Sequence, residues 1–131
     1  MYKLSKSLLT GSNFLTINKA LGERLGGFEA TFLSILIDGG TCVNREWFYQ
    51  TIPTIEELSF GMLTRTRQKA VIENLTKIGA IEQRNWGIPM KRYFRINEDV
   101  ISELIKEGQD IIDEKKSKKE EEKLNAEKKM D

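Results

Sequence analysis

Histidine is absent from this chain, cysteine occurs once, and no apolar run is long. Without histidine the commonest general base is missing, as are the usual partner of a catalytic serine or cysteine and most transition-metal ligand sets. A single Cys42 forms no intramolecular disulfide and no multi-cysteine zinc site. It reads as an inert small hydrophobe in a chain suited to a reducing compartment, the cytoplasm. Met1-Tyr2-Lys3-Leu4-Ser5-Lys6 opens with positive charge, but no apolar stretch follows it as in a signal peptide. No window of about 18 apolar residues offers a membrane span. A glycine-rich GxxxxGK phosphate loop is missing too, and the Glu56-Glu57 pair is explained by a helix start. The expectation is a protein with no catalytic residues, no cofactor, no metal and no membrane partner.

What is present is segregated charge. The chain has 131 residues and a formal net charge of +1. Residues 61–95 hold eight basic and two acidic side chains, whereas residues 96–112 hold one basic and five acidic. A near-neutral protein with one strongly basic stretch has a localised positive surface if those side chains point the same way, and such surfaces attract phosphate backbones. A solvated helix face carries similar runs, so charge alone does not decide between the two.

Turn and cap signals divide the chain. Residues 1–12 read as a flexible arm. Asn18 caps a short helix over 19–25, and Gly26-Gly27 stops it. Residues 28–38 are apolar almost all round, the signature of a buried central helix, with Gly39-Gly40 as its end. Trp47-Phe48-Tyr49-Gln50 is strand-like. Thr54, with Glu57 three residues on, has capping-box spacing for a brief helix that Gly61 ends. Thr64 caps a longer helix reaching Ile78, and Gly79 supplies the left-handed residue after it. Residues 80–84 and 91–96 alternate as the strands of a hairpin around the turn-rich Asn85-Trp86-Gly87-Ile88-Pro89. Asn97 caps a last helix with Ile101, Leu104, Ile105, Ile111 and Ile112 on its apolar side and Gly108 as a weak point. Residues 113–131 balance seven lysines against seven acidic residues and read as a charged helical or disordered tail.

Two helices joined by a tight turn and followed by a hairpin have the layout of a winged helix-turn-helix. The fold expected is therefore mainly α with a small β-hairpin. A winged-helix DNA-binding domain spans 13–112, with an N-terminal helical extension and the C-terminal charged helix or tail. At 100° per residue, with Val71 at zero, Leu75 falls at about 40° and Ile78 at about −20°, with Ile72 on the edge near 100°. Arg65, Thr66, Lys69 and Glu73 occupy the opposite face, between about 120° and 220°. A recognition helix needs short polar and basic side chains in its N-terminal half, where they reach base edges in the major groove. Thr64, Arg65, Thr66, Arg67, Gln68 and Lys69 are the candidates. Arg67 and Gln68 lie on the flanks and are expected to touch phosphate or the preceding helix. Arg84, Trp86, Lys91 and Arg92 are the candidates on the wing, which tracks the backbone or enters the minor groove. Trp86 also reads as packing beneath the wing. Phe94 and Ile96 are the expected core residues of the second strand. Double-stranded DNA is the expected partner, with monomer and symmetric homodimer both open.

Certain runs carry a resemblance. They are Trp47-Phe48-Tyr49-Gln50-Thr51-Ile52, Leu63-Thr64, Gln68-Lys69-Ala70, Leu75-Thr76-Lys77-Ile78-Gly79-Ala80-Ile81-Glu82 and Gly87-Ile88-Pro89-Met90-Lys91-Arg92-Tyr93-Phe94-Arg95-Ile96-Asn97. With Phe14-Leu15-Thr16-Ile17-Asn18-Lys19-Ala20-Leu21 and Glu29-Ala30-Thr31-Phe32-Leu33-Ser34, the stretch 13–97 resembles the N-terminal winged-helix domain of replication initiators and replisome organisers. Those proteins come from phages, plasmids and mobile elements of Gram-positive bacteria. The resemblance implies binding to repeated sites at an origin, help in loading a replicative helicase, and a replication protein as partner. It places the recognition helix on residues 64–78 and the wing on 84–92. A transcriptional regulator and a protein-interaction adaptor are alternatives on the same fold.

Overall fold

In the computed structural model, residues 15–43 and 46–130 are described, the side chains of 39–43 and 128–130 excepted. The expected arm 1–12 and the side chain of Cys42 lie outside that set. The chain is mainly helical with one small antiparallel sheet.

Helix α1 (Lys19–Leu25) begins where Asn18 Oδ1 accepts from the amides of Ala20 and Leu21, at 2.9 and 3.2 Å. Gly26, at φ 103°, ends it. Helix α2 (Gly27–Val43) follows at once, with Ala30, Phe32, Leu33, Ile35 and Leu36 buried at the centre of the core. Its two buried hydroxyls bond within the helix: Thr31 Oγ1 donates to Gly27 O and Ser34 Oγ to Ala30 O, both at 2.7 Å. The expected stop at Gly39-Gly40 is overturned, since the helix runs through both glycines to Val43. A glycine in a helix interior costs about 1 kcal/mol relative to alanine, which the burial of this helix outweighs.

Strand β1 (Phe48–Tyr49) leads into helix α3 (Ile52–Leu58). The cap of α3 is Thr51, not Thr54: Thr51 Oγ1 accepts from the Thr54 amide at 3.1 Å. Pro53 fits this earlier start, because it lacks an N–H and a first-turn residue needs none. The connection to the next helix uses two successive left-handed residues, Phe60 at φ 46° and Gly61 at φ 83°. The Ser59 hydroxyl steadies it by accepting from the Leu63 amide at 3.0 Å.

Helix α4 (Arg65–Lys77) is capped by Thr64, whose Oγ1 accepts from the Arg67 amide at 3.3 Å. At its other end Gly79, at φ 81°, donates to Thr76 O and Ala80 donates to Leu75 O, the paired bonds of a Schellman turn. Strands β2 (Ile81–Trp86) and β3 (Lys91–Ile96) form the hairpin, with β3 central in the order β1-β3-β2. The register sets Phe48 opposite Phe94, Tyr49 opposite Tyr93 and Arg84 opposite Tyr93. Phe94 is fully buried and meets the Phe32 ring edge-on at 5.8 Å, which joins the sheet to α2.

Helix α5 (Glu98–Met130) starts at Asn97, whose Oδ1 accepts from the Val100 amide, and continues without a break into the charged stretch. Gly108 is a seam and not a weak point. It is buried against α1, and a Cβ placed there would lie 1.9 Å from Ala20 O. Backbone-to-backbone approach at this crossing requires glycine. Arg24 with Glu107, and Lys115 with Glu23, hold the rims of the same contact. No helix among the described residues is long and apolar enough to cross a membrane.

Candidate nucleic-acid interface

Helix α4 buries one face and presents another. Gln68, Val71, Ile72 and Leu75 are buried, while Arg65, Thr66, Lys69 and Glu73 are exposed. Ile78 leaves the apolar stripe expected of it and is exposed. The buried arc is turned toward Gln68 and Ile72, where α4 meets the hairpin and the chain entering α3. Arg65 and Lys69 have no carboxylate within ion-pair distance among the described residues. Arg67 is exposed on the flank, with its guanidinium 4.0 Å from the centre of the Phe28 ring.

Of the two partners expected for Gln68, phosphate and the preceding helix, it takes the second, and it is 0 % exposed. Its Nε2 donates to Ile52 O at 3.0 Å and Leu63 O at 2.9 Å, and its Oε1 accepts from Arg92 Nη2 at 3.0 Å. The buried amide is fully used as a clip between α4, the start of α3 and strand β3. A buried polar group must find such partners or cost its full desolvation.

Arg92 is the other half of that clip. Its Nε donates to Gln50 O at 3.1 Å, and its guanidinium lies 4.9 Å from the centre of the Phe94 ring. Burial lowers its pKa to about 10, which leaves it charged at neutral pH. Arg92 is therefore on the helix side of the hairpin and is committed in large part to structure.

Between α4 and that side of the hairpin lies a cleft of about 520 Å³. Arg65, Lys69 and Glu73 line it from the helix, and Gln83, Asn85 and Arg92 from the strands. Gln83 and Asn85 were not singled out from the sequence. Their alternation with Arg84 and Trp86 is the signal that assigns them to the opposite side of β2.

The other three candidates on the hairpin stand on its outer face. The Arg84 guanidinium lies 4.8 Å from the centre of the Trp86 ring and 5.1 Å from that of Trp47, and Lys91 Nζ is 5.0 Å from that of Tyr49. The four wing candidates are split as strand alternation implies, with Arg84, Trp86 and Lys91 on one side and Arg92 on the other. Trp86 packs edge-on against Trp47 and Tyr93, both at 5.7 Å, and is still 44 % exposed. Arg95 shares this face but is occupied. It bonds Glu82 at 2.6 Å and Glu46 at 2.8 Å, and these contacts, the Glu82 hydrogen bond first, hold its pKa above the usual value.

No family model matches this chain, and no curated protein or solved structure matches it either. Among the described residues no group of three or more acidic or cysteine side chains is placed to hold a metal ion.

Proposed function

We propose that this protein binds double-stranded DNA through a winged helix-turn-helix, and that it serves replication initiation in a phage, plasmid or mobile element. In this reading α3 and α4 are the helix-turn-helix pair, and the β2–β3 hairpin is the wing. The observation that carries DNA binding is the outward face of α4. Arg65, Thr66 and Lys69 are exposed together in the first half of a capped helix, and neither cation is neutralised by a described carboxylate. Side chains of these types at the N-terminal end of a helix suit base edges and phosphates in the major groove. The Thr64 side chain takes the Arg67 amide and leaves those of Arg65 and Thr66 at the helix start, which favours a phosphate there.

The cleft beside α4 adds amide side chains from Gln83 and Asn85 to the basic ones. Arg92 acts in this reading as the brace that fixes the angle between helix and hairpin. The replication role is supported by the resemblance of residues 13–97 alone.

Fluorescence anisotropy with a labelled duplex across a salt series tests the proposal. Wild type is expected to bind with a steep salt dependence. The double variant Arg65→Ala/Lys69→Ala is expected to bind more weakly and to lose about one to two units of the slope of log K against log salt. Absence of binding at low salt, or a variant with an unchanged slope, overturns the reading.

A further inference from the structure

The duplex reading rests on α4 and the cleft beside it, while the outer face of the sheet holds three of the wing candidates, Arg84, Trp86 and Lys91, among aromatic rings. Four rings run across it without a gap: Tyr49 to Tyr93 at 6.0 Å, Tyr93 to Trp86 at 5.7 Å, and Trp86 to Trp47 at 5.7 Å. The row crosses all three strands, because β1 pairs with β3 and β3 with β2. The core lies on the opposite face, where Phe48, Phe94 and Ile81 are buried. On the outer face Tyr49 is 46 % exposed, about as open as Trp86. Cations border the rings. Arg84 stands over both tryptophans and Lys91 over Tyr49, and neither has a carboxylate within ion-pair distance among the described residues.

We propose that this face, built from Trp47, Tyr49, Trp86 and Tyr93 with Arg84 and Lys91 at its border, is a stacking platform for single-stranded DNA. Part-exposed rings interleaved with cations are what unpaired nucleotides need: the bases displace the cations that stand over the rings, and the cations turn to the phosphates. A duplex does not satisfy the rings, because its base faces are already stacked on one another. An apolar protein surface does not suit the face either, because it would strip water from Arg84 and Lys91 without offering them charge. The neighbouring carboxylates, Glu46 and Glu82, both bond Arg95, which offsets one of their two charges and draws them to one end of the face, away from Lys91. The proposal uses the side of the hairpin opposite to α4 and does not depend on the duplex reading. If both hold, the protein sits where paired DNA gives way to a melted strand.

Both tryptophans of the chain lie on this face, so intrinsic tryptophan fluorescence reports directly on its occupancy. The full chain is titrated with short oligo-dT, oligo-rU and a blunt duplex at low salt, as wild type, Trp86→Ala, Trp86→Phe and Arg65→Ala/Lys69→Ala. Circular dichroism checks that each variant is folded. Oligo-dT is expected to quench the fluorescence at saturation. Trp86→Ala is expected to weaken oligo-dT binding by roughly tenfold, while Trp86→Phe retains most of the affinity. The Arg65/Lys69 variant is expected to bind oligo-dT as wild type does, even if it loses the duplex. No quenching by oligo-dT, or a folded Trp86→Ala with wild-type affinity for it, overturns the platform. Tighter binding of oligo-rU than oligo-dT overturns its assignment to DNA. Equal loss of duplex and oligo-dT in the Arg65/Lys69 variant places the single strand in the cleft and overturns it as well.

Discussion

The two sides of the β2–β3 hairpin draw on the same kinds of residue and use them differently. On the helix side, Arg92, Phe94 and Ile96 alternate along β3 with Gln83 and Asn85 opposite, and the arginine is spent on Gln50, Gln68 and the Phe94 ring. On the outer side, Lys91, Tyr93 and Arg95 alternate with Arg84 and Trp86 opposite, and two of the three cations face only aromatic rings and water. One residue of displacement along a strand moves a side chain from one side to the other. Neighbouring basic residues can thus have opposite roles, one bracing the fold and the next open to a ligand. Charge counted along the chain does not separate these roles; hydrogen-bond partners and burial do.

Stability measurements on the two sides test this contrast. Phe94→Ala is expected to cost most, about 3–5 kcal/mol, because it empties the contact with Phe32 at the centre of the core. Chemical denaturation checks this, and a loss below about 1 kcal/mol would mean that the helix side of the sheet is loosely packed. Arg92→Ala comes next, at about 1–3 kcal/mol, because Gln68 Oε1 and Gln50 O lose their donor in a partly buried site. An Arg92→Ala variant as stable as wild type would remove the argument that this arginine is structural. Arg84→Ala and Lys91→Ala are expected to stay within about 0.5 kcal/mol of wild type, since their partners are rings at an exposed surface. A large loss in either would move the outer face from the ligand side of the comparison to the structural side.

Much of the fold was legible because it is local. Asn18, Thr64 and Asn97 cap their helices by bonding to amides two or three residues away, and Gly79 turns the chain by its own φ. Nothing distant competes at those positions. The cap of α3 was misplaced because Thr51 and Thr54 both have the chemistry, and Pro53 between them decides. The exposed basic set on α4 was legible from helical period alone. Period set Gln68 on the flank, beside the preceding helix or a phosphate; its complete burial was not legible, because it follows from the Ile52 carbonyl and from Arg92, far from it in the chain. Period gave the two sides of β3, but the aromatic row also needs Trp47 and Tyr49 to be carried next to Tyr93 and Trp86, and only the pairing of β1 with β3 does so.

Local sequence was enough for the starts of α1, α4 and α5, for the position of the hairpin, for the central helix and for the basic stretch. Those features depend on caps, φ preferences and hydrophobic period over a few residues. Tertiary structure alone decided which cations are braced and which stand open, why α2 passes through Gly39-Gly40, and why Gly108 lies against Ala20. Each of these depends on what another part of the chain brings within bonding or contact distance, and no local preference carries that information.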